Sequence, residues 1–109
     1  MANNNNPAEA LHIVTRAEVK PGHEESFEKA FQKAAGLSRE EKGNLTYQLL
    51  KVHDRERQYV VSESWANGDA LHAHMEEDHT KELFKSLEED LTHKITEHLL
   101  VTSELYPSI

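Results

Sequence analysis

The chain has 109 residues, enough for one domain with a modest core, and its lack of cysteine excludes disulfides, thiolate nucleophiles and cysteine-ligated metal centres. Asp and Glu outnumber Lys and Arg by 20 to 12, which excludes nucleic acid and an anionic membrane as expected partners. The acidic residues form short runs, Glu40-Glu41 among them, which we interpret as solvated helix faces.

The chain start is polar and of low complexity. We therefore expect residues 1–8 to form a disordered tail and residues 9–109 to form a single domain. No basic segment followed by an apolar run marks a secretory signal, and no apolar stretch approaches the roughly 20 residues that span a bilayer. These features predict a cytoplasmic protein.

The first predicted elements are a strand and a helix. Residues 11–19 alternate between apolar and polar side chains, the period of a strand, and Pro21-Gly22 ends that pattern. Apolar residues then recur at helical spacing, and two glutamates occupy the first turn, where the helix dipole favours negative charge. We expect this helix to end at Lys42, with Gly43 as its stop.

The remaining elements are a hairpin, two short helices and a final strand. Residues 45–52 and 58–65 have strand character and are separated by a charged loop of hairpin length. Asn67 is the expected cap of the next helix, and Asp78 is the expected cap of the one after it. The last apolar run, from residue 95 to 106, predicts a closing strand.

The resulting order, β-α-β-β-α-β with the second helix in two pieces, indicates an α+β fold of the ferredoxin-like, split βαβ kind. It would place an antiparallel sheet behind helices on one face. The strands nevertheless carry apolar residues on both parities, Tyr47 and Tyr59 on one and Leu50 and Val60 on the other. Because a monomer would leave the second set in water, we expect a twofold homodimer.

The segment from Glu63 to His79 concentrates the functional groups of the chain. It contains a carboxylate, the only tryptophan, Trp65, and two imidazoles, His74 and His79, around one corner between a strand and a helix. Such a corner can form a small apolar pocket with a few polar groups. The segment therefore predicts a small-molecule site.

Three stretches together resemble the antibiotic biosynthesis monooxygenase domain family. They are Val19-Lys-Pro-Gly-His-Glu-Glu-Ser-Phe27, Ser38-Arg-Glu-Glu-Lys-Gly-Asn-Leu-Thr-Tyr47, and Glu63-Ser-Trp65 followed by Ala70-Leu71, His74 and His79. The resemblance implies a dimeric α+β barrel that oxygenates quinols, anthrones and similar phenols with O2. It also implies no cofactor, since the best-known members use neither flavin, metal nor haem. No nucleotide-binding glycine motif is present.

Two histidines are candidates for the catalytic proton-handling group. His79 lies at the expected start of a helix, where the dipole disfavours the imidazolium and keeps the ring neutral. His74 is expected on the inward face of the preceding helix, near Trp65, where it could orient the substrate. The alternative for His74 is a structural role in which it satisfies a backbone carbonyl.

Six residues are candidates for substrate binding. They are Trp65, Tyr47, Asn44, Glu63, Phe31 and Met75. Three of them have other interpretations: Trp65 could belong to the core, and Asn44 could form the turn after the first helix. Glu63 could form a structural ion pair with Arg16, a lysine or a histidine, or it could act as the base.

Eight histidines raise the question of a metal site. His72 and His74 point about 200° apart on a helix and cannot easily chelate one ion, so no metal site is predicted. Haem-degrading members of the wider superfamily use an asparagine on the first strand. This chain has Thr15 and Arg16 in the corresponding stretch and no asparagine there, so haem degradation is not the expected function. An isomerase or degrading enzyme for a small signalling metabolite and a non-catalytic ligand-binding dimer stay as alternative functions.

Overall fold

The order of elements in the structure is the order predicted from the sequence. The computed structural model describes residues 9–93 and 99–101. Its elements are β1 Leu11–Glu18, α1 Glu24–Ser38, β2 Asn44–Lys51, β3 Gln58–Trp65, α2 Gly68–Glu76, α3 Asp78–Asp90 and β4 Leu99–Val101. The α+β class and the division of the second helix are therefore confirmed. None of the helices in the described ranges is long and apolar enough to cross a membrane.

The strands form one antiparallel sheet in the order β2-β3-β1-β4. The two strands that flank α1 in sequence are therefore not neighbours, since β3 lies between them. In the centre of the sheet Ile13, Glu63 and Tyr47 occupy one row across β1, β3 and β2. This row places a carboxylate and a phenol side by side on one face.

The helices cover the sheet face that carries the odd-numbered residues of β3. Tyr59, Val61 and Trp65 are buried there, and the ring of Phe27 on α1 lies 4.6 Å from that of Tyr59. Burying large rings against the sheet removes apolar area from water, which is the main stabilising term of such a layer. The opposite face carries Leu50, 47% exposed. Both faces of the sheet therefore carry apolar side chains, as the strand pattern predicted.

The first helix is four residues shorter than predicted. It ends at Ser38. The chain then continues with hydrogen bonds to the residue three positions earlier, as in a 3₁₀ turn, from Glu40 N–H to Leu37 C=O and from Glu41 N–H to Ser38 C=O. The Arg39 guanidinium holds the following turn by donating twice to the carbonyl of Tyr47, at 2.6 and 3.1 Å. The chain therefore turns toward β2 before Gly43.

The turn that follows α1 requires glycine at residue 43. Gly43 has φ +91°, and a Cβ added there would lie 2.6 Å from the Cβ of Ala70 in the first turn of α2. The carbonyl of Gly43 also accepts from the N–H of Ala66, at 2.7 Å. Positive φ and close approach are the two conditions that glycine alone meets without strain. The turn is thereby fixed against the start of α2.

The helix caps divide into one confirmed prediction and one correction. Asn67 caps α2, and its Oδ1 accepts from the N–H of Ala70 at 2.9 Å. Asp78 is not a cap but the first residue of α3, after Glu77, whose side chain makes no capping bond. Of the predicted closing strand only residues 99–101 are described, and the predicted tail, residues 1–8, lies outside the described residues.

Candidate functional site

A cavity of about 290 Å³ lies between the inner face of the sheet and the helices α2 and α3. Eight of its lining side chains are apolar, and the polar ones are Thr15, Tyr47, Glu63, His74 and Thr80. Its volume is near the lower end of the roughly 300 to 1,000 Å³ typical of small-molecule sites. The cavity can therefore hold a compact, mainly apolar ligand that meets a few polar groups.

His74 is the imidazole of the cavity wall. It lies in the last turn of α2, is 3% exposed, and packs its ring 4.3 Å from the indole of Trp65, as the sequence predicted. Its Nδ1 is 2.8 Å from Oε2 of Glu41, and its Nε2 is 3.8 Å from Oε1 of Glu63. The ring therefore lies between two carboxylates: that of Glu41 is hydrogen-bonded to it, and that of Glu63 lies within ion-pair distance.

Glu41 is the residue of the site that sequence reasoning missed. Its Oε2 is bonded to Nδ1 of His74 and to Nε2 of His79, the latter at 2.7 Å, and its side chain is only 10% exposed. The interpretation of Glu40-Glu41 as a solvated helix face is wrong for Glu41, because α1 ends at Ser38 and Glu41 lies in the following turn with its side chain directed inward. No local pattern marks it, since its partners lie 33 and 38 residues away.

Glu63 is held by the neighbouring tryptophan. Its Oε1 accepts from the indole N–H of Trp65 at 2.9 Å, and its side chain is 13% exposed. The predicted alternative of an ion pair with Arg16 is wrong, because Arg16 has the opposite parity on β1 and lies on the outer face. The partner is the alternative histidine, His74.

In the part of the chain that the structure describes, histidines are the only ion-pair partners of the carboxylates of Glu41 and Glu63. There Glu41 pairs with His74 and His79, and Glu63 with His74, whereas neither pairs with a Lys or an Arg. Carboxylates this deeply buried require compensation by hydrogen bonds or by positive charge. An imidazole supplies hydrogen bonds in its neutral form, but it supplies positive charge only when it is protonated.

Tyr47 places a phenol next to this charge. It is buried opposite Glu63 in the row across β2 and β3. Burial, followed by the negative charge of Glu63, raises the pKa of Tyr47 above its ordinary value of 10.0. The hydroxyl is therefore a hydrogen-bond donor throughout the physiological range.

The remaining predicted residues divide by position. Phe31 and Met75 line the cavity together with Tyr47, Glu63 and His74. Three others lie outside its lining: Trp65 is fully buried behind His74, His79 reaches the site through Glu41, and Asn44 donates to the carbonyl of Thr46 at the β2 irregularity.

The structure also assembles a potential set of metal ligands that the sequence did not suggest. The predicted failure of His72 and His74 to chelate one ion concerned two residues on one helix. The donor atoms of Glu41, His74 and His79, from three different elements or turns, all lie within 4.8 Å of one another.

Comparisons with known proteins find one matching family model and many similar solved structures. A family model described as "Antibiotic biosynthesis monooxygenase" matches residues 10–86. Among solved structures, a conserved protein from Methanosarcina mazei Go1 is similar with a TM-score of 0.83 at 22% identity, over 90% of this chain and 96% of that one. A candidate antibiotic biosynthesis monooxygenase from Caulobacter crescentus gives 0.82 at 25%, over 90% and 92%.

A third structure is that of SnoaB, described as a cofactor-independent oxygenase from Streptomyces nogalater. It is similar with a TM-score of 0.79 at 24% identity, over 94% of this chain and 100% of that one. At such identities the likeness establishes a shared fold over nearly the full length of each chain. No curated protein matches the sequence.

Proposed function

The chain belongs to the antibiotic biosynthesis monooxygenase family, and on that premise we propose that it oxidises a small, electron-rich aromatic compound of the quinol or anthrone class with O2. The observation that carries the proposal is the cavity, whose mainly apolar wall contains His74, Glu63 and Tyr47. The description of SnoaB as a cofactor-independent oxygenase supports the same reaction class without a flavin, metal or haem.

We assign removal of the substrate's phenolic proton to Nε2 of His74. If the imidazole keeps its own proton on Nδ1, where Glu41 accepts it at 2.8 Å, Nε2 has a free lone pair, and His74 lines the cavity. The imidazolium that forms on proton transfer is stabilised by Glu41 and by Glu63, whose Oε1 lies 3.8 Å from Nε2. In this proposal Glu41 and His79 are positioning residues.

Substrate binding in this proposal combines one donor with apolar walls. Tyr47, kept protonated by its raised pKa, donates to a substrate oxygen. Phe31 and Met75 contact the aromatic body. Trp65 and Asn44 act at a distance, because Trp65 fixes the carboxylate of Glu63 and Asn44 braces the start of β2.

The substrate itself supplies the electrons in this reaction. Deprotonation makes the ring electron-rich enough to transfer one electron to O2, and recombination of the two radicals forms a peroxide that loses water. For an anthrone, the ring methylene becomes a carbonyl with one atom of O2, and the other atom leaves as water with the two methylene hydrogens. The protein contributes a mainly apolar cavity, the base and the compensation of the developing anion.

We also propose that two copies associate through the outer faces of their sheets and that the protein acts in the cytoplasm. The support for association is the exposed Leu50, with partly exposed Val14 and Val60 near it on the same face. A polar sheet face would need no cover, whereas this one gains from burial.

Oxygen uptake tests the proposed reaction directly. Chelator-treated protein is assayed against hydroquinones and anthrones, with the spontaneous oxidation rate subtracted, and the product is then analysed after reaction under oxygen-18 gas. We expect protein-dependent uptake and one labelled oxygen atom in the product. Tight binding of these compounds without uptake would contradict an oxygenase and favour the ligand-binding alternative.

A further inference from the structure

We propose that Glu41, His74 and His79 form a binding site for a divalent transition-metal ion, with Zn²⁺ as the representative ion. The site lies behind His74 as seen from the cavity, so it is distinct from the place where the substrate is proposed to bind. Two imidazole nitrogens and one carboxylate oxygen are a ligand set that Zn²⁺ uses in proteins, with a further position for water.

The three donor atoms already converge. Oε2 of Glu41 is 2.8 Å from Nδ1 of His74 and 2.7 Å from Nε2 of His79, and all three atoms lie within 4.8 Å. Ligands of a tetrahedral Zn²⁺ with bonds of about 2.1 Å stand about 3.4 Å apart. Small side-chain rotations therefore suffice to open the two short contacts around an ion.

The electrostatics of the cluster favour a dication. Glu41 and Glu63 are both nearly buried, and among the described residues neither has a Lys or Arg partner. A divalent ion bound to Glu41 would supply the positive charge that a Lys or Arg does not supply to these two carboxylates. Burial disfavours the charge of the two carboxylates in the absence of the ion, but it strengthens their attraction to the ion once it is bound, because the surroundings are of low polarity.

Glu63 supplies the outer partner that metal-bound histidines commonly have. When Nδ1 of His74 binds the ion, the ring proton moves to Nε2, which faces Oε1 of Glu63 at 3.8 Å. A carboxylate that accepts from the far nitrogen fixes the ring and raises its basicity. Trp65 holds that carboxylate in place at 2.9 Å.

Metal binding has a consequence for the cavity that rests on the proposed function. With the ion bound at Nδ1, the neutral ring of His74 carries its proton on Nε2. That is the atom that the proposed reaction needs as a proton acceptor. The loaded protein would therefore bind substrate without deprotonating it, and the ion would act as an inhibitor that a chelator removes.

Calorimetric titration with Zn²⁺ tests the site without any substrate. Protein from which any purification tag has been removed is titrated as wild type, Glu41→Gln, His79→Gln and Glu63→Gln. His72→Gln is the matched control, since His72 is an exposed histidine of the same helix as His74. Circular dichroism and thermal melting establish that each variant is folded. The visible absorption of bound Co²⁺ reports the coordination number independently.

We expect one ion per chain in the wild type and in His72→Gln, with the absorption of four-coordinate Co²⁺. Loss of a ligand in Glu41→Gln or His79→Gln should weaken binding at least about tenfold, and Glu63→Gln should weaken it by roughly 10- to 100-fold. Absence of binding to the wild type, or equal affinity in folded Glu41→Gln, would overturn the site. Either outcome leaves oxygen uptake by chelator-treated protein as a separate test of the proposed function.

Discussion

Tyr47 shows how the environment of one residue links the site to the stability of the fold. Its hydroxyl is buried beside Glu63, and its pKa is raised because both burial and that charge disfavour the tyrosinate. In the unfolded chain the same hydroxyl has its ordinary pKa of 10.0. The folded state therefore has an advantage that is complete below pH 10 and declines above it.

We predict that Tyr47→Phe reduces the alkaline sensitivity of the fold. The free energy of unfolding of the wild type, relative to this variant, should fall by about 1.4 kcal/mol between roughly pH 9 and pH 11, because only the unfolded wild type deprotonates at residue 47. Denaturant unfolding at several pH values measures it. Parallel pH profiles for the two proteins would contradict a raised pKa for Tyr47.

The individual site residues differ in how far they could be predicted. Trp65 and His74 lie nine positions apart across one corner, so their contact follows from the local order of strand and helix. Glu41 could not be found this way, because its role depends on where α1 ends and on partners more than 30 residues away. Two adjacent glutamates in a charged stretch have the pattern of a solvated surface until the fold directs one of them inward.

At the level of elements, the strands and the α2 cap were predictable and the end of α1 was not. Period-two alternation and the Asn67 cap are signals carried by neighbouring residues. The end of α1 depends instead on Arg39, which binds the carbonyl of Tyr47 in the next strand. A tertiary contact therefore overrides the helical preference of residues 39–42.

Gly43 gives the prediction that belongs to this scale. We expect Gly43→Ala to lower the free energy of unfolding by about 1 to 3 kcal/mol more than Gly22→Ala does. Both positions have positive φ, so both variants carry the backbone strain. Only at Gly43 does the added Cβ meet Ala70, at 2.6 Å, whereas nothing lies within 4 Å at Gly22.

Chemical denaturation of the two glycine variants separates the clash from the strain. Equal losses of stability would contradict the close approach between the α1–β2 turn and α2. Because Glu41 lies in that same turn, the stability of the turn also determines the position of the carboxylate that joins His74 and His79.

For the whole molecule, the exposed outer face of the sheet is the surface through which two copies are proposed to associate. The proposed homodimer would bury Leu50, and a twofold axis would bring the same face of a second copy against it. The absence of nucleic acid partners, predicted from the excess of acidic residues, stays a prediction at this scale.

We predict that Leu50→Lys weakens association whereas Leu37→Lys does not. Both leucines are exposed, at 47% and 40%, but Leu50 lies on the outer face of β2 and Leu37 lies on α1. Multi-angle light scattering after gel filtration should give twice the chain mass for the wild type and for Leu37→Lys, and a lower mass for diluted Leu50→Lys. A monomeric wild type, or equal masses for the two variants, would contradict the outer face as the interface.

The role of the cavity histidine is tested by comparing two histidine variants of α2 in oxygen uptake. His74→Gln removes the imidazole of the cavity wall, and His72→Gln removes an exposed one two residues away. On the best quinol or anthrone substrate, with chelator present, we predict that turnover falls by roughly 10²-fold or more in His74→Gln and is unchanged in His72→Gln. Wild-type turnover in folded His74→Gln would contradict the proposal that this cavity and its histidine carry out the reaction.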